Sequence, residues 1–83
     1  MYHLYILKCV DSTLYTGITV DLERRIAEHN NSKLGAKYTS TRRPVELVYC
    51  ASFDNRSEAS KEESRIKKLT REGKLELIEN FKQ

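Results

Sequence analysis

The sequence predicts an α+β domain in which a small three-stranded, largely antiparallel sheet is flanked by helices, in the order β-β-α-β-α-α. Three observations carry this prediction. Two runs rich in aromatic and branched residues, Tyr2–Val10 and Leu14–Ile18, are separated by turn residues and read as a hairpin. A third such run, Val45–Phe53, stands well apart from them. Elsewhere apolar residues recur at helical spacing, as at Leu22 and Ile26 or at Ala59, Ile66 and Leu69. Strands of this kind bury a face only by packing helices against it.

The elements follow in order. Tyr2–Val10 is apolar on both alternating faces and is expected as a central strand covered on both sides. Asp11 and Ser12 are turn residues. A loop of those two residues alone would set Lys8 opposite Tyr15 and leave Tyr5 on the other face. A loop with an odd number of residues places Tyr5 and Tyr15 on one face, and the odd loop is predicted. Helix one is expected over Asp21–Asn30, with Asp21 placed to cap it and to favour its dipole. On it Leu22 and Ile26 face the core, and Arg25 and His29 share a neighbouring stripe. Asn30–Pro44 reads as a basic loop punctuated by Gly35 and Pro44. After the third strand, Asp54–Ser57 carries helix-start signals, and helix two is expected to about Arg71 with Gly73 ending it. Leu77, Ile78 and Phe81 give a short last helix its apolar stripe.

Eighty-three residues make one domain with a small core. Hydrophobic residues at 39% and charged ones at 33% describe an ordinary soluble globular chain. No apolar run approaches the roughly 20 residues needed to cross a bilayer, and Lys8 interrupts the only apolar stretch near the N-terminus. Cys9 and Cys50 lie in apolar strands and read as buried thiols of a reducing cytoplasm. With His3 and His29 they lack zinc-finger spacing. The net charge of +3 does not by itself argue for nucleic acid. Its distribution says more: Lys33, Lys37, Arg42 and Arg43 lie together with Tyr38 and no acid among them. Such a patch suits phosphates through charge and hydroxyl contacts, or else is a solvated basic loop.

On helix two, Glu62 and Glu63 flank the line from Ala59 to Ile66. A carboxylate beside a buried stripe costs desolvation unless it is paired or binds a cation, and an i,i+4 ion pair of Glu63 with Lys67 is the plain alternative. The collected candidates are Tyr5, Tyr15, Arg25, His29 and one glutamate. Phosphodiester hydrolysis must deprotonate a water, stabilise charge on the phosphoryl oxygens and help the leaving oxygen depart. A divalent ion on one carboxylate and waters serves the last two needs, and Arg25 offers a fixed guanidinium. A phenol is an unusual base at its ordinary pKa near 10, which nearby positive charge lowers. Taken singly, the tyrosines also read as core residues, and Arg25 and His29 as a solvated helix edge.

At these residues the chain resembles the GIY-YIG nuclease superfamily, and within it the small stand-alone bacterial members. The two signature tripeptides align with His3-Leu4-Tyr5 and Tyr15-Thr16-Gly17, ten residues from tyrosine to tyrosine. The family's arginine falls on Arg25, ten residues after the second tyrosine, and the histidine of many members on His29. Its metal-binding glutamate falls on Glu63, in the pattern Ala59-x-x-x-Glu63-x-x-Ile66-Lys67. The match spans nearly the whole chain, through LYTGIT, AKYT, RRPVELVY and EESRIKKL. Three departures stand out: His3-Leu4 replaces Gly-Ile, Thr16 replaces an isoleucine, and Ile18 stands where some members carry a lysine thought to assist the tyrosine base.

The resemblance implies a metal-dependent endonuclease acting on DNA, with a setting in DNA repair or recombination. Tyr5 is then the base that activates water and Tyr15 its support, or the reverse. Arg25 stabilises the phosphoryl charge, His29 contacts the phosphate or assists proton transfer, and Glu63 holds one Mg2+ or Mn2+. Lys33, Lys37, Tyr38, Arg42 and Arg43, with Lys67, supply nucleic-acid contacts. The chain is expected to act as a cytoplasmic monomer away from membranes. The alternatives are a non-catalytic nucleic-acid-binding module on the same fold and a protein-interaction domain.

Overall fold

The computed structural model describes residues 1–31 and 37–81. Its sheet consists of β1 (Tyr2–Lys8), β2 (Leu14–Thr19) and β3 (Glu46–Phe53), in the antiparallel order β2-β1-β3. Four helices accompany it: α1 (Leu22–Asn31), α2 (Lys37–Ser40), α3 (Arg56–Lys67) and α4 (Arg71–Phe81). The expected α+β architecture and its central first strand are thus what the chain adopts.

β1, the central strand, is fully buried on both faces from Leu4 to Leu7. Leu4 and Ile6 point to one side, where they pack with Val48, Ile66 of α3 and Ile78 of α4. Tyr5 and Leu7 point to the other, with Val45 and, from α1, Leu22 and Ile26. A bulge opposite Ile6 and Leu7 leaves Val48 as the extra residue between Leu47 and Tyr49. It therefore lets both Val48 and Tyr49 serve the first cluster while Leu47 and Val45 serve the second.

The hairpin pairs Lys8 with Leu14 and Tyr5 with Gly17, so its loop has the predicted odd length. β1 ends at Lys8 and not at Val10 because the chain turns at once. Cys9 N–H donates to Thr13 O at 2.9 Å, Ser12 N–H to Cys9 O at 2.9 Å, and Ser12 takes a positive φ of 68°. Asp11 braces the turn by accepting from the Thr13 amide and hydroxyl, at 3.1 and 2.6 Å. Asp21 caps α1 as expected, its carboxylate accepting from Arg24 N–H at 3.1 Å.

Two expectations are corrected. The basic segment is not all loop, since it contains α2. Helix two stops at Lys67, where the Lys68 and Leu69 amides bond back to Arg65 and Ile66 carbonyls. Gly73 does not end it. Thr70 starts a new helix there, its hydroxyl accepting from Gly73 N–H at 3.1 Å, so Gly73 lies in the first turn of an 11-residue α4.

Candidate active site

Three elements, β1, β2 and α1, bring Tyr5, Tyr15, Arg25 and His29 together on the Tyr5 side of the sheet. α3, which packs on the Leu4 and Ile6 side, brings Glu63 near enough for its charge to be felt at Tyr5. Because Tyr15 lies across from Leu7 and Gly17 across from Tyr5, all four project from one face. The rings of Tyr5 and Tyr15 stand 6.5 Å apart between centroids. Tyr5 lies over Gly17 so closely that a Cβ there would sit 2.5 Å from the phenol oxygen and 2.7 Å from Cζ. Only glycine permits this approach, which gives the glycine of the second signature its physical reason.

α1 adds the next layer. His29, fully buried, reaches the Tyr5 hydroxyl with Nε2 at 2.9 Å and the Thr39 hydroxyl of α2 with Nδ1 at 2.8 Å. Its ring also packs edgewise against both tyrosines, with centroids 5.8 and 5.3 Å away. One turn earlier, Arg25 donates to Glu28 Oε1 at 3.0 Å, and its charge is felt at Tyr5. Arg25 and His29, one turn apart on one stripe of α1, thus both lie toward Tyr5.

Burial and charge set the protonation states. Burial, and then the Arg25 charge, push the His29 imidazole down to about 4, against the pull of Glu28 and with a further push from Arg43. His29 is neutral at pH 7. Burial raises the Tyr5 phenol above its ordinary value; the nearby Arg25 guanidinium opposes this, and Tyr15 and Glu63 add to it. Tyr5 is thus a protonated phenol bonded to a neutral imidazole, not a standing phenolate.

Glu63 enters from α3, and its charge is felt at Tyr5. Its Oε2 also meets Lys67 Nζ at 3.2 Å, the ion pair that helical spacing allows. Glu62, which periodicity alone does not distinguish from Glu63, has both oxygens taken by Arg65 at 2.6 Å each. Among the described residues no group of three or more His, Cys, Asp or Glu side chains gathers to hold a metal. A cation at this site would therefore rest on the Glu63 carboxylate, with water and substrate oxygens completing its shell. That sparse, hard donor set suits Mg2+ or Mn2+ and not zinc.

The basic patch is distributed differently from its sequence. Tyr38 stacks on Tyr15 at 5.9 Å, and the Arg42 guanidinium lies 4.1 Å from the centre of the Tyr38 ring. Arg42 also bonds the Tyr38 carbonyl at 2.8 Å and Asp11 at 3.1 Å, tying α2 to the hairpin turn. Arg43 Nε donates to the His29 carbonyl at 2.6 Å and so closes the end of α1. Lys37 is exposed at the start of α2, and Lys33 lies outside the described residues. Sequence reasoning missed Thr39, Glu28 and Asn30. The Asn30 amide brackets Val45, donating to its carbonyl at 3.1 Å and accepting from its N–H at 2.7 Å. Thr39 and Asn30 carried no local signal, since each acts on a residue that only folding brings near it, whereas the spacing of Glu28 from Arg24 and Arg25 is legible in the sequence.

Comparison with known proteins identifies the family. The GIY-YIG catalytic domain matches residues 1–76. The chain is 58% identical over 78 residues to a UPF0213 protein of Clostridium perfringens, covering 94% of this chain and 83% of that one. It is 54% identical over 76 residues to a UPF0213 protein of Syntrophus aciditrophicus, covering 92% and 87%. A solution NMR structure of a protein from E. faecalis is 45% identical and superimposes with a TM-score of 0.66 over 96% of this chain and 84% of that one. Matched by that domain over residues 1–76 and more than half identical to these relatives over nine-tenths of its length, the chain belongs to the GIY-YIG catalytic domain family.

Proposed function

We propose that this protein is a metal-dependent endonuclease that hydrolyses DNA phosphodiester bonds, in a setting of DNA repair or recombination. The observation that carries the reading is the convergence on Tyr5 of groups from β2, α1 and α3. Arg25 is a fixed cation for the charge that grows on the phosphoryl oxygens during attack. The attacking water must lose a proton. Tyr5 takes it on its oxygen and passes its own proton to Nε2 of His29, which is neutral and able to accept. A free phenolate is then never required, which suits a phenol whose pKa is raised. Tyr15 supports the pair by packing on both rings. The reverse assignment uses Tyr15, less deeply buried than Tyr5, as the group that meets water.

Glu63 would hold one Mg2+ or Mn2+, which when bound supplies charge stabilisation to the phosphoryl and departing oxygens. Its pair with Lys67 is half open to solvent, 54% exposed on the lysine side, and such i,i+4 pairs contribute only a few tenths of a kcal/mol. It is therefore a weak competitor for a divalent ion and leaves Lys67 to contact nucleic acid. Lys37, Tyr38 and Arg42, with Arg43 and Lys33, would line the strand's path.

The test is cleavage of plasmid, single-stranded and branched DNA in Mg2+ and Mn2+ by the wild type and Glu63→Ala. Metal-dependent cleavage by the wild type alone is expected, with folding stability changed by less than about 0.5 kcal/mol. Salt-dependent DNA binding without cleavage in either metal would make the domain a non-catalytic binding module. Absence of both would leave a protein-interaction role.

A further inference from the structure

We infer that Thr39 is a positioning residue that fixes the tautomer of His29 and so aims the Tyr5 proton at Nε2. The inference rests on the hydrolytic site proposed above. A neutral imidazole has one N–H and one lone pair, and the partners of its two nitrogens decide which is which. His29 has one hydroxyl at each nitrogen, Thr39 Oγ1 at 2.8 Å from Nδ1 and Tyr5 Oη at 2.9 Å from Nε2. Either hydroxyl can donate or accept, so the pair of distances alone leaves both tautomers open.

The burial of Tyr5 breaks the tie. Its hydroxyl carries a hydrogen, and in the tautomer with the hydrogen on Nε2 two donors would face each other across this bond. The Tyr5 hydroxyl proton must then find an acceptor of its own, because the side chain is only 1% exposed. Among the described residues, His29 Nε2 is the acceptor within hydrogen-bond distance. Nε2 therefore carries the lone pair and Nδ1 the hydrogen, which Nδ1 donates to Thr39. The buried phenol sets the direction of the chain at one end, and Thr39 receives it at the other.

Thr39 is built for this duty. It is fully buried, and the short helix that carries it is pinned on both sides. Tyr38 stacks on Tyr15, Arg42 N–H donates to the Thr39 carbonyl at 3.0 Å, and the Arg42 carbonyl accepts from Val10 N–H at 3.1 Å. The ion pair of Arg42 with Asp11 closes the same bracket. Removing the hydroxyl while keeping the shape would leave Nδ1–H buried without this acceptor. The imidazole would then gain from moving its hydrogen to Nε2, where it blocks the Tyr5 proton.

The experiment is long-range proton–nitrogen correlation NMR of the histidine-labelled protein at pH 7, on wild type, Thr39→Val and Thr39→Ser, with cleavage kinetics alongside. The wild type is expected to show one His29 form, protonated at Nδ1. Thr39→Val is expected to show a substantial Nε2-protonated population, and Thr39→Ser to restore the wild-type pattern. With Mn2+ and a cleavable DNA, Thr39→Val should lower kcat about tenfold or more with KM little changed, the range in which a correctly placed proton-transfer group contributes. Thr39→Ser should recover it. A wild-type His29 protonated at Nε2 overturns the inference, and so does a folded Thr39→Val that keeps the pure Nδ1 form. If the wild type cuts no DNA the proposed function fails, while the tautomer measurement still decides the role of Thr39. Should Thr39→Val not fold, the wild-type and Thr39→Ser spectra decide it.

Discussion

Acidification between pH 8 and pH 5 should destabilise this domain, and His29 is the group responsible. Its side chain is fully buried, and burial together with the Arg25 charge holds its pKa at about 4, against 6.5 when exposed. Below about pH 6.5 the unfolded chain therefore takes up a proton that the folded chain refuses. The unfolded state binds more protons throughout this window, so stability rises with pH from about 4 to 6.5 and is lost as pH falls through it. Crossing the whole window costs about 3 kcal/mol, of which about 2 kcal/mol is gone by pH 5. Domains of this size are stable by roughly 5–10 kcal/mol, and each kcal/mol moves the melting midpoint by about 4–8 °C. The midpoint should accordingly fall by roughly 10 °C between pH 8 and pH 5. Asp11 and Glu62, whose hydrogen bonds hold their carboxyls below the ordinary 3.8 and 4.5, act in the same direction but mostly beneath this window. Thermal unfolding followed by circular dichroism at pH 8, 7, 6 and 5 measures the effect. The same series on His29→Gln, which cannot titrate at 29, isolates it. A wild-type midpoint that moves by less than about 2 °C, or a glutamine variant that keeps the full slope, would refute the reasoning.

Two further substitutions probe the frame around the site. Gly17→Ala would drive a methyl group into the Tyr5 ring, 2.5 Å from its oxygen. It should cost about 1–3 kcal/mol and shift the His29 ring nitrogen resonances; unchanged resonances would mean that the ring has room to yield. Asn30→Ala strips Val45, 5% exposed, of both partners that its backbone N–H and C=O find in the Asn30 amide. A loss of about 1–3 kcal/mol in urea unfolding is expected, with faster hydrogen exchange at the Val45 amide, and an unchanged midpoint would show that water replaces the amide at no cost.

What the sequence determined by itself was whatever local chemistry encodes. Alternation in Tyr2–Lys8 marks a strand apolar on both faces and hence a central one. Turn residues between the two tyrosines imply a hairpin, and a loop of odd length puts Tyr5 and Tyr15 on one face. Asp21 announces the first helix through its capping carboxylate. The order of the signature residues, with Arg25 and His29 one turn apart, is also written in the chain and needs no coordinates. Reading fails first where two local signals compete. Gly73 looks like a helix stop, but the Thr70 hydroxyl captures its amide and makes the same glycine part of a helix start.

Only the tertiary structure decided the rest, because those choices are made by residues far apart in sequence. Tyr5 and His29 are 24 positions apart, and their hydrogen bond exists because β1 and α1 pack on one face of the sheet. Helical spacing treats Glu62 and Glu63 alike. Each has an ion pair on its own helix, Glu62 with Arg65 and Glu63 with Lys67, and what separates them is that the fold brings the charge of Glu63 within reach of Tyr5. The charges of Arg42 and Arg43 read as one patch, yet one bridges a helix to a turn and the other closes the end of α1. Protonation follows the same division. A histidine in a sequence has a pKa near 6.5, and enclosure between two hydroxyls beside an arginine is what makes His29 a neutral acceptor at pH 7. Periodicity and caps are properties of a few neighbouring residues, whereas burial, close approach and the direction of a proton are properties of the packed chain.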